Sequence, residues 1–166
     1  MSETSTKSVN PQSDRPQMPE GYGLKPPSEG RLIAWEDVIQ SLTSARTYWV
    51  VTASTRGKPH AAPVWGIWQE GSFYFGTDPA SRKGRNLDAN PHIVLHLESG
   101  DDAVIVEGTA KLSQPELLPA GLNERYLEKY GIDPSGSPTY RLDPSKVLAW
   151  SETDFPECAT RWKIID

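Results

Sequence analysis

Thr77-Asp78-Pro79-Ala80-Ser81-Arg82-Lys83-Gly84-Arg85-Asn86-Leu87 follows directly on the apolar run Phe73-Tyr74-Phe75 and stops close to Asn90-Pro91. The pattern predicts a strand that hands over to a short helix across 80–90, with Asn90-Pro91 as its end. Ser81, Arg82, Lys83 and Arg85 then gather at the start of that helix. Free backbone N–H groups, the positive end of the helix dipole and cationic side chains converge there, which suits a phosphate. A capped, solvated helix uses the same residue types, so the surrounding sequence has to decide.

A chain of 166 residues makes one domain with room for a core. Its formal net charge of −5 argues against a general nucleic-acid or anionic-membrane surface. The positive cluster at 82–85 stands out against that acidic background. Cys158 is the single cysteine, which excludes an intrachain disulfide, and no base lies beside it in sequence to make it a nucleophile. His60, His92 and His96 show no metal-ligand spacing. His92 and His96 share one face of a predicted strand, but four residues of strand separate them by about 13 Å, too far for one ion. No apolar run is long enough to span a membrane and no signal peptide is evident, so the expected location is cytoplasmic.

Residues 1–29 are rich in Ser, Thr, Pro and Gly and read as a flexible N-terminal tail, with Tyr22 and Leu24 as its docking candidates. The folded domain is expected over 30–166. Trp35, Val38, Ile39 and Leu42 repeat at helical spacing from residue 34 onward. Strands are predicted at 47–53, 60–69 and 72–77, joined by turns at 54–59 and at Glu70-Gly71, an antiparallel meander. Two more follow the short helix, at 93–97 and 103–112. A helix is predicted from Pro115 to Tyr130, with Leu118, Leu122, Tyr126 and Tyr130 near one face. A loop at 131–138 leads to strands near 139–142, 146–150 and 159–165. The class is mainly β (α+β), an antiparallel sheet with two or three flanking helices, closed into a small barrel or a sandwich.

Within 60–69 the run Ala61-Ala62-Pro63-Val64-Trp65-Gly66 is unlike a core strand. Proline cannot donate to a ladder, so Pro63 belongs at an edge or a bulge. Small side chains and Gly66 would let a flat ligand approach the backbone, although an irregular edge strand would look the same. Trp65 and Trp68 lie on opposite faces or flank a bulge, and aromatic residues such as Trp150 and Trp162 also serve as core. Taken together, the features describe a planar, phosphate-bearing ligand with its ring along 60–66. Its phosphate would rest on Thr77, Ser81, Arg82 and Lys83. Flavin mononucleotide (FMN) has that shape.

The ordered set Gly57-Lys58-Pro59-His60-Ala61-Ala62-Pro63-Val64-Trp65, the stretch 77–87 with Asn90-Pro91, and Val106-Glu107-Gly108-Thr109-Ala110 resembles the flavin-binding split β-barrel of the pyridoxamine 5′-phosphate oxidase-like superfamily. Ala159-Thr160-Arg161-Trp162-Lys163 is similar to that group's closing strand. The resemblance implies a six-stranded split barrel that forms a homodimer, with cofactor sites at the subunit interface. It places the cofactor phosphate on Ser81, Arg82 and Lys83 beside Thr77. Ala62, Pro63, Val64 and Trp65 would contact the ring, and Trp162 joins the implied site. Two departures matter: Ala61 and Gly66 stand where true pyridoxamine phosphate oxidases carry an arginine and a lysine, and their C-terminal Arg-Pro motif is missing. Oxidation of pyridoxamine phosphate is therefore not expected.

The chain resembles more closely the actinobacterial-type relatives that bind flavin or the deazaflavin coenzyme F-420, whose acidic tail Arg56, Lys58 and Arg85 would suit. The implied activity is hydride transfer from bound FMN or deazaflavin to a small substrate. The alternative from another class is a flavin- or haem-binding carrier without turnover. A third, a degenerate barrel without cofactor, is opposed by Ser81-Arg82-Lys83 beside Thr77. No catalytic side chain is identified; His60, Tyr48 and Tyr140 are proton-donor candidates by residue type alone.

Overall fold

The computed structural model describes residues 10–165. Its strands are β1 (Asn10–Asp14), β2 (Tyr48–Ala53), β3 (Pro59–Val64), β4 (Gly66–Gln69), β5 (Ser72–Gly76), β6 (His92–His96), β7 (Asp102–Leu112), β8 (Thr139–Ser151) and β9 (Thr160–Ile165). Three α-helices interrupt them: α1 (Trp35–Ser44), α2 (Arg82–Ala89) and α3 (Leu122–Tyr130). All pairings are antiparallel, in the order β1-β9-β8-β7-β6-β2-β3. β5 pairs the first part of β8 and carries β4 on its other side. Among the described residues the path does not close on itself, so β3 is an edge there. This is the expected mainly β split barrel.

Strand register explains where the core sits. Val50, Leu95, Val106, Val147 and Trp162 are consecutive cross-strand partners, and each is at most 1% exposed. Because side chains alternate faces along a strand, this row defines the inner face. Tyr48, Phe73 and Phe75 extend it, and α1 closes it with Val38 and Leu42. Burying a side chain of this size contributes roughly 1.5–3 kcal/mol. The adjacent row, Pro63, Trp49, His96, Ile105 and Leu148, therefore faces outward. Its last four members are half-buried, and the rings of Trp49 and His96 stack 6.4 Å apart.

Four details differ from the sequence reading. The strand expected over 60–69 breaks at Trp65 into β3, which pairs β2, and β4, which pairs β5. Pro63 is thereby on an edge strand, where its missing donor is harmless. The two strands expected at 139–150 are one, because a bulge at Ser145, opposite Glu107 and Gly108, carries the ladder past Pro144. The helix expected over 115–130 is a 3-10 turn (Pro115–Leu117) followed by α3. Pro119 cannot continue a helix, and Gly121 at φ +76° starts α3 anew.

The fourth concerns the tail. Residues 1–9 of it lie outside the described residues, but 10–14 form β1, in register from Asn10↔Ile165 to Asp14↔Arg161. Arg15, only 8% exposed, then donates to the carbonyls of Glu157 (2.7 Å), Ala159 (2.9 Å) and Lys25 (3.1 Å). A segment with little apolar surface is thus fastened by a backbone ladder and one buried guanidinium, which composition does not reveal.

Candidate functional site

β5 delivers the chain at Gly76, and a turn at 77–81 carries it into α2. Ser81 caps that helix, its Oγ accepting from the Gly84 N–H at 3.1 Å. The Thr77 Oγ1 and Ser81 Oγ are hydrogen-bonded at 3.1 Å, so two hydroxyls sit side by side at the helix start. A Cβ on Gly84 would lie 2.5 Å from the Pro79 carbonyl oxygen and 2.6 Å from that of Asp78. Glycine alone allows the turn to fold this tightly over the helix. Leu87 enters the core, and the buried Asn86 amide donates to the Thr52 hydroxyl at 3.0 Å, fixing α2 to β2. Arg82 and Arg85 are exposed, the latter turned back to donate to the Ala80 carbonyl, while Lys83 is half-buried.

Lys83 reaches a surface groove of about 440 Å³ whose other walls are Pro63, Val64 and Trp65 from the end of β3, Thr47, Gly76 and Tyr126. A more apolar hollow of about 460 Å³ shares Gly76 and Tyr126 with it and adds Thr77, Phe75, Leu122 and Ile132. Of the phosphate candidates, Lys83 therefore lines the groove together with the β3 end and Thr77 lines the adjoining hollow, the two spaces sharing Gly76, whereas Ser81 and Arg82 line neither. Ala62 is next to Pro63 on the same edge strand and half-buried.

Trp162 is not among them. It is 1% exposed and packs with its ring centre 5.6 Å from that of Trp35, so it has no face to offer a ligand. Gly66 also has a different role from the one expected. A Cβ there would meet the Phe73 ring at 2.3 Å and the Tyr74 carbonyl oxygen at 2.4 Å, so its glycine serves internal packing.

The break at Trp65 is held from below by α3. The Tyr130 hydroxyl accepts from the Gly66 N–H at 3.0 Å and lies 2.9 Å from the carbonyls of both Gly66 and Arg46, which share its single proton as acceptors. Trp65, 38% exposed, stacks on the Tyr130 ring at 4.8 Å and 6°, with the Arg46 guanidinium 5.6 Å from its ring centre. Lys129 donates to the Tyr48 hydroxyl at 2.8 Å and to the Thr43 carbonyl at 3.2 Å. Burial and, less strongly, the Arg46 charge lower its pKa to about 8. Tyr48, which donates to the Leu42 carbonyl at 2.6 Å, is pushed well above the ordinary phenol range by burial.

Tyr140 is buried, stacked on Phe75 at 5.7 Å, and raised by burial and then by Asp88 and Asp78. Both tyrosines are therefore structural, leaving His60, half-buried on β3, of the three proton-donor candidates. Thr47, Tyr126 and the Arg46–Lys129–Tyr130 clamp escaped the sequence reading. Tyr126 and Tyr130 share a helix face that looks like plain core, and only the break at Trp65 divides their roles.

Among the described residues no three His, Cys, Asp or Glu side chains gather as a metal site, and no helix is long and apolar enough to cross a membrane.

The fold is an open, antiparallel split barrel with a capped, cationic helix start after β5. The family model described as pyridoxamine 5′-phosphate oxidase matches residues 35–152, and the chain belongs to that family. Similar solved structures share the fold at low identity. A conserved hypothetical protein, Rv2991 of Mycobacterium tuberculosis, superposes with a TM-score of 0.64 at 22% identity, covering 74% of this chain and 88% of that one. HutZ, the haem storage protein of Vibrio cholerae, gives 0.56 at 17%, covering 68% and 91%. An F420 reductase gives 0.50 at 18%, covering 65% and 94%. No curated protein sequence matches the chain.

Proposed function

We propose that this protein is a cytoplasmic oxidoreductase that holds FMN or deazaflavin F-420 in the groove between β3 and α2 and passes a hydride to a small, flat substrate. The observation that carries this reading is the groove in which the strand edge at Pro63 and Val64 meets Lys83, with Thr77, hydrogen-bonded to Ser81, lining the hollow next to it. The donor set fits the cofactor's chemistry: two hydroxyls, a helix start and two cations, Arg82 and Lys83, for a phosphate, and bare backbone for a ring. When bound, the cofactor supplies the hydride chemistry. The protein's part is to orient and shield. Ser81 and Thr77 position the phosphate, and Lys83 neutralises it. The Trp65 break, clamped by Tyr130, sets the height of the strand edge on which the ring rests, and Tyr126 narrows the far wall against water.

The reading includes a homodimer with the groove at its interface. It is supported by the outward row Trp49, His96, Ile105 and Leu148, half-buried and largely apolar, which runs from the groove at Pro63 across the sheet. Ala61 and Gly66 offer no cation to a substrate phosphate, so pyridoxamine phosphate is not the substrate.

The likeness in fold to HutZ keeps a carrier as the competing reading. Turnover separates them. Stopped-flow oxidation of the reduced, bound cofactor should accelerate at least tenfold with a suitable quinone or nitroaromatic acceptor, against the acceptor and free cofactor alone. Tight binding with no acceleration by any acceptor would make the protein a carrier.

A further inference from the structure

At the other end of β8 from the groove, Trp150, Phe155 and Tyr22 wall a separate open cavity of about 670 Å³. Phe155 stands between its two neighbours. Its ring meets Tyr22 at 6.1 Å and 88°, and Trp150 at 6.3 Å and 63°, so the three form the sides of a corner rather than a stack. Asp101 and Glu152 also line it, beside Met18, Pro19 and Gly100, and are joined by a backbone hydrogen bond of 2.6 Å from the Glu152 N–H to the Asp101 carbonyl. Both are exposed, and neither carboxylate has an ion-pair partner among the described residues. Among the described residues no lysine or arginine lines the cavity.

Aromatic faces carry negative charge density, and angled rings with carboxylates at the rim attract a weakly hydrated cation more than any neutral or anionic group. Tyr22 is there by construction. It closes a 3-10 turn (Glu20–Tyr22) ended by Gly23 at φ +69°, in the segment that β1 and the Arg15 clamp fasten to the body. The N-terminal segment thus brings the third wall to a corner that the barrel supplies with only two.

We infer that this cavity binds a small organic cation bearing a quaternary ammonium group, independently of the cofactor groove. Choline is the probe, and its neutral isostere 3,3-dimethylbutan-1-ol is the control, since the two differ in charge but hardly in shape. Both are titrated into the full chain at constant ionic strength, followed by tryptophan fluorescence and by ligand-observed NMR. Choline should saturate in the millimolar range, and the isostere should bind at least about fivefold more weakly. Tyr22→Leu, at a half-exposed position, and the pair Asp101→Asn with Glu152→Gln should each weaken choline by about fivefold or more. The carboxylate variants leave every ring in place and decide the matter if the Tyr22 variant disturbs the segment. Equal affinity for the isostere, no saturation below about 100 mM choline, or choline binding unchanged in the carboxylate variants would each overturn the inference.

Discussion

Arg82 and Lys83 stand at the first two positions of α2, where neither supports the core: Ser81 provides the cap and Leu87 the burial. Replacing both with alanine should therefore leave the melting temperature nearly unchanged. Cofactor affinity should fall by about 3 kcal/mol, roughly a hundredfold, because charge-assisted bonds to phosphate are lost. Titration calorimetry reads this directly, and unchanged affinity would move the phosphate elsewhere. At this scale the sequence is informative where a residue's role is local. Ser81 reads as a helix-start residue from its place between a strand and a cationic run, and the structure makes it the cap. Trp162 is misleading because an aromatic ring suits a ligand platform and a core equally, and only cross-strand register with Val147 buries it. Gly66 is ambiguous in the same way, since a missing side chain does not say what fills its space.

α3 does more than cover the sheet. Its last turn sends Tyr130 to the backbone of Gly66 and Lys129 to the hydroxyl of Tyr48, so the break between β3 and β4 is held by two side chains of one helix. Lys129 also gives the element a pH dependence. Its pKa is lowered from 10.5 to about 8, mainly by burial. Between those values the unfolded chain holds a proton that the folded one has released, so stability rises with pH across that window and the cost of charging Lys129 is complete below it. Lys129→Met should flatten the rise between pH 8 and 10 in urea unfolding. An unaltered slope would assign it to another group. α1, α3 and most strands are legible in apolar periodicity, and α2 in its place between the Phe73–Phe75 run and Asn90-Pro91. What escapes is where elements break or merge, because Pro119 with Gly121 divides a continuous helical stripe, whereas the bulge at Ser145 lets β8 run past Pro144.

Over the whole molecule the sheet has two uses. Its inner row makes the core, and its outer row of half-buried, largely apolar side chains runs from the groove towards β9. The split-barrel topology was legible because motif order from 57 to 110 carries it. The anchoring of 10–29 was not, since a ladder to β9 and three carbonyls around Arg15 are long-range facts. The central claim is that the groove beside β3 is a cofactor site. Titrating the purified protein with FMN and, separately, with F-420, followed by ring absorbance and fluorescence, tests it most directly. The account predicts micromolar or tighter binding of one of them, saturating at one cofactor per chain. Binding of neither would contradict it and leave the groove without its proposed ligand.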